Sequence, residues 1–155
     1  MNKYSEYKIV LVGLGPHAKR IYINLFKKYN INLELLVDLK SQKENIQEYF
    51  KNNNFKETEL FLIDDSFKDL TSLPYSIADD LQKVIKLKNI KYAIISTEPK
   101  AHFMYAKFFL ENNVNILLDK PITAPIYCNS DINQARKIKE EYNELCKLYE
   151  SKKIK

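Results

Sequence analysis

Glycine is scarce in this chain: Gly13 and Gly15 are the only two among 155 residues. With so few, no Gly-rich linker or low-complexity segment divides the sequence, and the length suits one domain with a buried core. Cysteine is equally sparse. Cys128 and Cys146 stand far apart, without His or Cys partners at metal-ligand spacing, so neither a metal site nor a disulfide framework is expected. Cys146 falls on the apolar stripe of a helix and reads as a buried, inert thiol in a reducing, cytoplasmic setting. No apolar run approaches the roughly 18 to 20 residues that span a bilayer, so no membrane partner is expected. The polar opening MNKYSEYK runs straight into a strand, which argues against a signal peptide.

What is present is a mixed globular composition, 45% hydrophobic and 29% charged, too apolar for a disordered chain. The net charge is +5. Its lysines are dispersed opposite apolar helix stripes rather than gathered with stacking aromatics, so nucleic acid is not the expected partner.

Two periodicities alternate along the sequence. Short apolar runs at Tyr7 to Gly13, Leu33 to Asp38, Glu59 to Asp64, Lys91 to Thr97 and Val114 to Asp119 read as buried strands. Between them run helical stripes. The first carries Ala18, Ile21, Tyr22, Leu25, Phe26 and Tyr29, and the second opens at Ser41 and fades in the asparagines. Leu81, Val84 and Ile85 mark a third, and Ala101, Met104, Tyr105, Phe108 and Phe109 a fourth. A last stripe holds Ala135, Ile138, Tyr142, Leu145, Cys146 and Tyr149. Asp64 to Ser76 reads only as loop. The expectation is an α/β fold: a Rossmann-like, doubly wound parallel sheet in three layers, α/β/α, forming a single domain.

The two glycines fall together, in GLGPHA after the first strand. In this G-x-G-x-x-A pattern Gly13 permits the tight turn, Gly15 lets a pyrophosphate approach the backbone, and Ala18 lets helix and strand pack. Pro16 suits the first helical turn, and with His17 it stands where helix N–H groups meet an anion. Asp38 ends the second strand, twenty residues beyond Ala18. A carboxylate there accepts hydrogen bonds from ribose hydroxyls and repels a 2′-phosphate, favouring NAD. Lys40 and Ser41 beside it keep NADP open. Two more strand ends point to the same edge, with Ser96, Thr97, Glu98 and His102 after the fourth strand and Asp119, Lys120 and Pro121 after the fifth. In open parallel sheets ligands bind at these carboxyl ends.

In order, VLVGLGPHA, AIISTEPKAH and NILLDKPIT resemble the N-terminal domain of the Gfo/Idh/MocA oxidoreductases over essentially the whole chain. The resemblance implies that Thr97 and His102 line the cofactor site, and that Lys120 contacts substrate and nicotinamide and assists proton transfer. It further implies a sugar, cyclitol or related polyol as substrate, and a possible homo-oligomer. Asp119 departs from the usual Glu, Pro99 stands one place late, and Ala18 replaces the third glycine. Members of the family run to roughly twice this length, with a second domain that completes the catalytic set. The chain stops at ESKKIK, about where a sixth strand is expected, and holds no candidate for those further residues. Two readings therefore stand open. One is the NAD(P)-binding part, residues 1–155, of an oxidoreductase, inactive by itself; the other is a stand-alone, non-catalytic nucleotide-binding or redox-sensing module.

Overall fold

A computed structural model describes residues 6–55 and 57–152. The first residues of the polar opening and the last three of ESKKIK lie outside them. Five strands form one parallel sheet: β1 (Ile9–Val12), β2 (Leu33–Leu39), β3 (Glu59–Ile63), β4 (Tyr92–Ile95) and β5 (Asn115–Leu118), in the order β3-β2-β1-β4-β5. The order reverses between β1 and β4, which places the switch point beside the glycine turn.

Alternation along β1 splits the core into two layers. Val10 and Val12 face one side, packed with Leu81 and Ile85 of α4 (Tyr75–Leu87), with α5 (Pro99–Glu111) and with Leu145 of α6 (Ile132–Lys152). Ile9 and Leu11 face the other, under Ala18, Tyr22, Ile23 and Phe26 and under Ile46 and Phe50 of α3 (Lys43–Asn53). The strands are thus buried on both sides, as their continuous apolar runs require. Burial of this area drives the fold, at about 25 cal/mol per Å² of apolar surface.

The first helical stripe is not one regular helix. It consists of α1 (Pro16–Ala18), a π-turn over Lys19–Ile23, and α2 (Asn24–Tyr29). Such turns admit one extra residue and re-aim the side chains around them. Half of the expected stripe, Ile21, Leu25 and Tyr29, is exposed. The opposite flank is the one tied to α3, by the Lys19 ammonium 4.7 Å above the Tyr49 ring and by Lys27 on Asn53 at 2.5 Å.

Glycine scarcity has a structural counterpart. Asn30, Asn54, Asn89 and Asn113, at the ends of α2, α3, α4 and α5, have φ of 53°, 61°, 53° and 58°. Asparagine here takes the left-handed position usually given to glycine. The residue after each asparagine is apolar, and its N–H donates to the carbonyl five residues back. These pairs are Ile31 to Phe26, Phe55 to Phe50, Ile90 to Ile85 and Val114 to Phe109, at 2.8 to 3.2 Å. One six-residue device thus ends four helices and starts the return to the sheet.

Three expectations need correction. Asp64 to Ser76 is not all loop: Asp64 accepts from the Ser66 N–H and caps a 3₁₀ turn over Asp65–Phe67, and Pro74 ends the loop so that α4 begins at Tyr75. The helix expected to open at Ser41 starts at Lys43, after a 3₁₀ turn at Lys40–Gln42. Cys146 is only partly buried, because α6 rests on the domain by one narrow line with Leu145 its single buried residue. Among the described residues no helix is long and apolar enough to cross a membrane.

Candidate functional site

Three backbone hydrogen bonds continue the sheet beyond the strand ends: Gly13 N–H to Val37 O (2.9 Å), Ser96 N–H to Val12 O (2.9 Å) and Asp119 N–H to Ile95 O (3.1 Å). They fix Asp38, Gly13, Ser96 and Asp119 in a row along one edge. Gly13 has φ +87°, and a Cβ there would stand 2.7 Å from the Ser96 carbonyl oxygen and 3.0 Å from Thr97 Cγ2. The turn therefore lies directly against the end of β4, which only glycine allows. Gly15 differs, since a Cβ on it would meet nothing within 4 Å.

That open space belongs to a cavity of about 740 Å³ at the carboxyl edge. Its wall includes Gly13, Gly15, Pro16, His17, Asp38, Ser96, Thr97 and Glu98, so eight of the expected site residues surround one space. Asp65, Lys68, Lys100, Met104 and Tyr105 also line it, and these the sequence reading did not nominate. Tyr105 was legible only as part of a core stripe. Lys100, next to Pro99 on the first turn of α5, carried a fainter positional signal. Lys100 bridges Asp69 at 2.6 Å and Glu98 at 3.2 Å, pinning the loop before α4 to the start of α5.

Asp38 is held at the floor of the cavity. Its Oδ2 accepts from the Leu14 N–H and its Oδ1 from the Leu39 N–H, both at 2.8 Å. Burial raises its pKa above the ordinary carboxylate value, against the two backbone donors. Each oxygen keeps a further lone pair for a ligand hydroxyl. Asp64 and Asp65 stand nearby at the end of β3. Asp64 takes up the Lys40 ammonium at 3.3 Å and Asp65 the Ser41 N–H at 3.0 Å. The two groups that kept a 2′-phosphate reader open are thus engaged by carboxylates. Tyr105 is buried against the cavity, and burial, then the Asp38 charge, raises its pKa and keeps it a neutral phenol.

The other end of the edge is built differently. Asp119 does not line the cavity; Tyr22 donates its hydroxyl to Oδ1, Ser96 donates to Oδ2 at 2.5 Å, and His17 Nε2 lies 3.7 Å from Oδ2. The π-turn is what carries Tyr22 to this position. Burial, then the bond and charge of Asp119, pushes the Tyr22 pKa up, so it remains a donor. Lys120 follows directly and is exposed; its peptide bond to Pro121 is cis. His102 departs from the expected cofactor contact. Its ring is fully buried, with Nδ1 2.8 Å from the Pro121 carbonyl oxygen and Nε2 3.1 Å from that of Thr97. It ties the Thr97 loop to the Lys120 loop from beneath. Ala18 is also buried and serves the close packing of helix on sheet.

A glycine turn at a switch point, with an acidic second strand end and open space above Gly15, fits a dinucleotide. The profile of GFO_IDH_MocA, described as an oxidoreductase family with an NAD-binding Rossmann fold, matches residues 7–151. The chain belongs to this family. In this GFO_IDH_MocA domain the Gly13–Gly15 turn follows β1 and Asp38 lies near the end of β2, both on the wall of the cavity. Among solved structures it is similar to a Gfo/Idh/MocA family oxidoreductase from Vibrio cholerae, with 16% identity, TM-score 0.57, and coverage of 90% of this chain and 36% of that one. The WlbA (WbpB) dehydrogenase from Thermus thermophilus, in complex with NAD and UDP-GlcNAcA, gives 16% and 0.53, covering 90% and 39%. The aldose-aldose oxidoreductase from Caulobacter crescentus, complexed with glycerol, gives 15% and 0.53, covering 86% and 35%. At such identities the likeness is one of fold. The chain spans less than two-fifths of the length of these structures. Comparison with the curated proteins finds no match.

Proposed function

We propose that this chain is the cofactor-holding part of an NAD-dependent oxidoreductase that acts on a sugar, cyclitol or related polyol. The observation that carries the reading is the 740 Å³ cavity over the Gly13–Gly15 turn, with Asp38 at its floor. The sugar-related ligand and name of two similar structures support the substrate class. Gly13, Gly15, Pro16 and His17 receive the pyrophosphate, while Asp38 accepts the adenosine ribose hydroxyls. Asp38, Asp64 and Asp65 together oppose a 2′-phosphate, so NAD is preferred to NADP. Ser96, Thr97 and Glu98 stand toward the nicotinamide end.

The bound cofactor supplies a hydride acceptor at nicotinamide C4. Lys120 is the catalytic residue of this chain: its ammonium stabilises negative charge growing on the substrate oxygen as the hydroxyl proton leaves to a base. A second domain, expected by analogy with the longer structures, completes the substrate pocket. Calorimetric titration with NAD and NADP in parallel tests the reading. NAD binding at least about tenfold tighter than NADP is expected, a difference of about 1.4 kcal/mol. Binding of neither overturns it.

The second reading, a stand-alone nucleotide-binding or redox-sensing module, is favoured by the exposure of Lys120. Turnover of any polyol by the complete protein, lost on Lys120→Ala, decides against it.

A further inference from the structure

Resting on the dinucleotide reading, we propose that His17 takes up a proton when the cofactor binds, with Asp119 as the positioning carboxylate that holds the imidazole for it. Cofactor affinity then rises as the pH falls.

His17 belongs to two places at once. It lines the cavity beside Gly15 and Pro16, and its Nε2 lies 3.7 Å from Asp119 Oδ2. Its ring meets Tyr22 edge-on, with centroids 6.1 Å apart at 76°. Asp119 is not free to turn away, because Tyr22 holds one oxygen and Ser96 the other. The imidazole therefore stands between a fixed carboxylate and the place where the pyrophosphate lies.

Before binding, His17 has one anionic neighbour; afterwards it has two. An opposite charge within about 4 to 6 Å favours the charged form of a titrating group, and an imidazole changes charge between about pH 5 and 8. The complex then binds more protons than the separate partners, and by linkage its affinity must fall as the pH rises. The ionisable groups facing His17 are Asp119 from the end of β5 and Tyr22 from the π-turn. Farther along, the cavity wall carries Asp38, Asp65, Glu98, Lys68 and Lys100, so a pH profile alone does not locate the proton. The only other histidine, His102, is buried between two carbonyls and lies off the cavity wall.

The test is calorimetric titration of the chain with NAD at pH 7 in two buffers of different protonation enthalpy, joined to affinities at pH 6 and pH 8.5. Uptake of a fraction of a proton is expected, with binding about tenfold weaker at the higher pH. H17Q should abolish the uptake and flatten the profile, and D119N should reduce the uptake. Wild-type binding without uptake, or uptake that survives H17Q, overturns the proposal. NMR of the His17 ring in the wild-type chain gives a second reading that needs no variant. On addition of NAD at pH 7.5 its Cε1–H signal should move toward the protonated position, and a stationary signal with NAD bound overturns the proposal. If NAD does not bind at either pH, the dinucleotide reading itself falls and this inference with it.

Discussion

The two ends of the sheet's carboxyl edge are finished to different degrees. Around Gly13, Gly15 and Asp38 the cavity has walls from β1, β2, β4 and the start of α5. Around Lys120 the chain offers an exposed side chain on a loop whose neighbours, Ile122 and Tyr127, are themselves exposed apolar residues. Yet the backbone beneath Lys120 is as firmly held as the glycine turn, through Asp119 and His102. The contrast teaches that the chain walls a cavity at one end of the edge by itself. At the other end it holds the backbone but leaves Lys120 open.

The largest blow to the finished end is Gly13→Ala. Left-handed backbone and a Cβ 2.7 Å from a carbonyl oxygen should together cost about 3 to 5 kcal/mol, seen as a lowered midpoint in urea, with NAD affinity lost. His102→Ala strikes the tie between the ends. It removes the ring that fills the fully buried space between two carbonyl oxygens, one of which loses its N–H donor, and should cost about 2 to 4 kcal/mol, measured in the same way. Lys120→Ala sharpens the contrast rather than breaking it: NAD affinity should stay within about twofold by titration, while turnover of the complete enzyme drops.

The smallest effect is a matter of pH. Carboxyl NMR should find Asp38 titrating above its ordinary value of 3.8, and Asp64 and Asp65 below theirs. The signs differ. Burial disfavours ionised Asp38, so its contribution to stability is present below the ordinary value and lost as the pH rises through the raised one. Asp64 and Asp65 contribute above the ordinary value and lose that contribution as the pH falls through their lowered ones.

Much of this layout was legible in the residues. Strand runs and helical stripes identified the five-stranded architecture, and GLGPHA identified the turn, because buried parallel strands and tight glycine turns leave local marks. What escaped was of two kinds. The recurrence of an apolar residue, then asparagine four later and an apolar residue next, is plain in FKKYNI, FKNNNF, IKLKNI and FLENNV. Its meaning is masked in the sequence because asparagine suggests a fading helix rather than a positive φ. The partners of Asp119 were hidden for another reason. Tyr22 reaches it across 97 residues of chain and by virtue of a π-turn, which no 3.6-residue period reveals. His102 stood beside the fourth stripe rather than on it, and only packing turns its ring inward.

The knot at Asp119 also acts as a check on assembly. Side chains alternate across a sheet, so a one-residue slip of β5 against β4 would send Asp119 to the opposite face, away from both Tyr22 and Ser96. Its two hydroxyl donors can close only when Ile95 pairs with Leu118, as it does. The carboxylate beside the proposed catalytic lysine thus also proofreads the strand register on which that lysine's position depends.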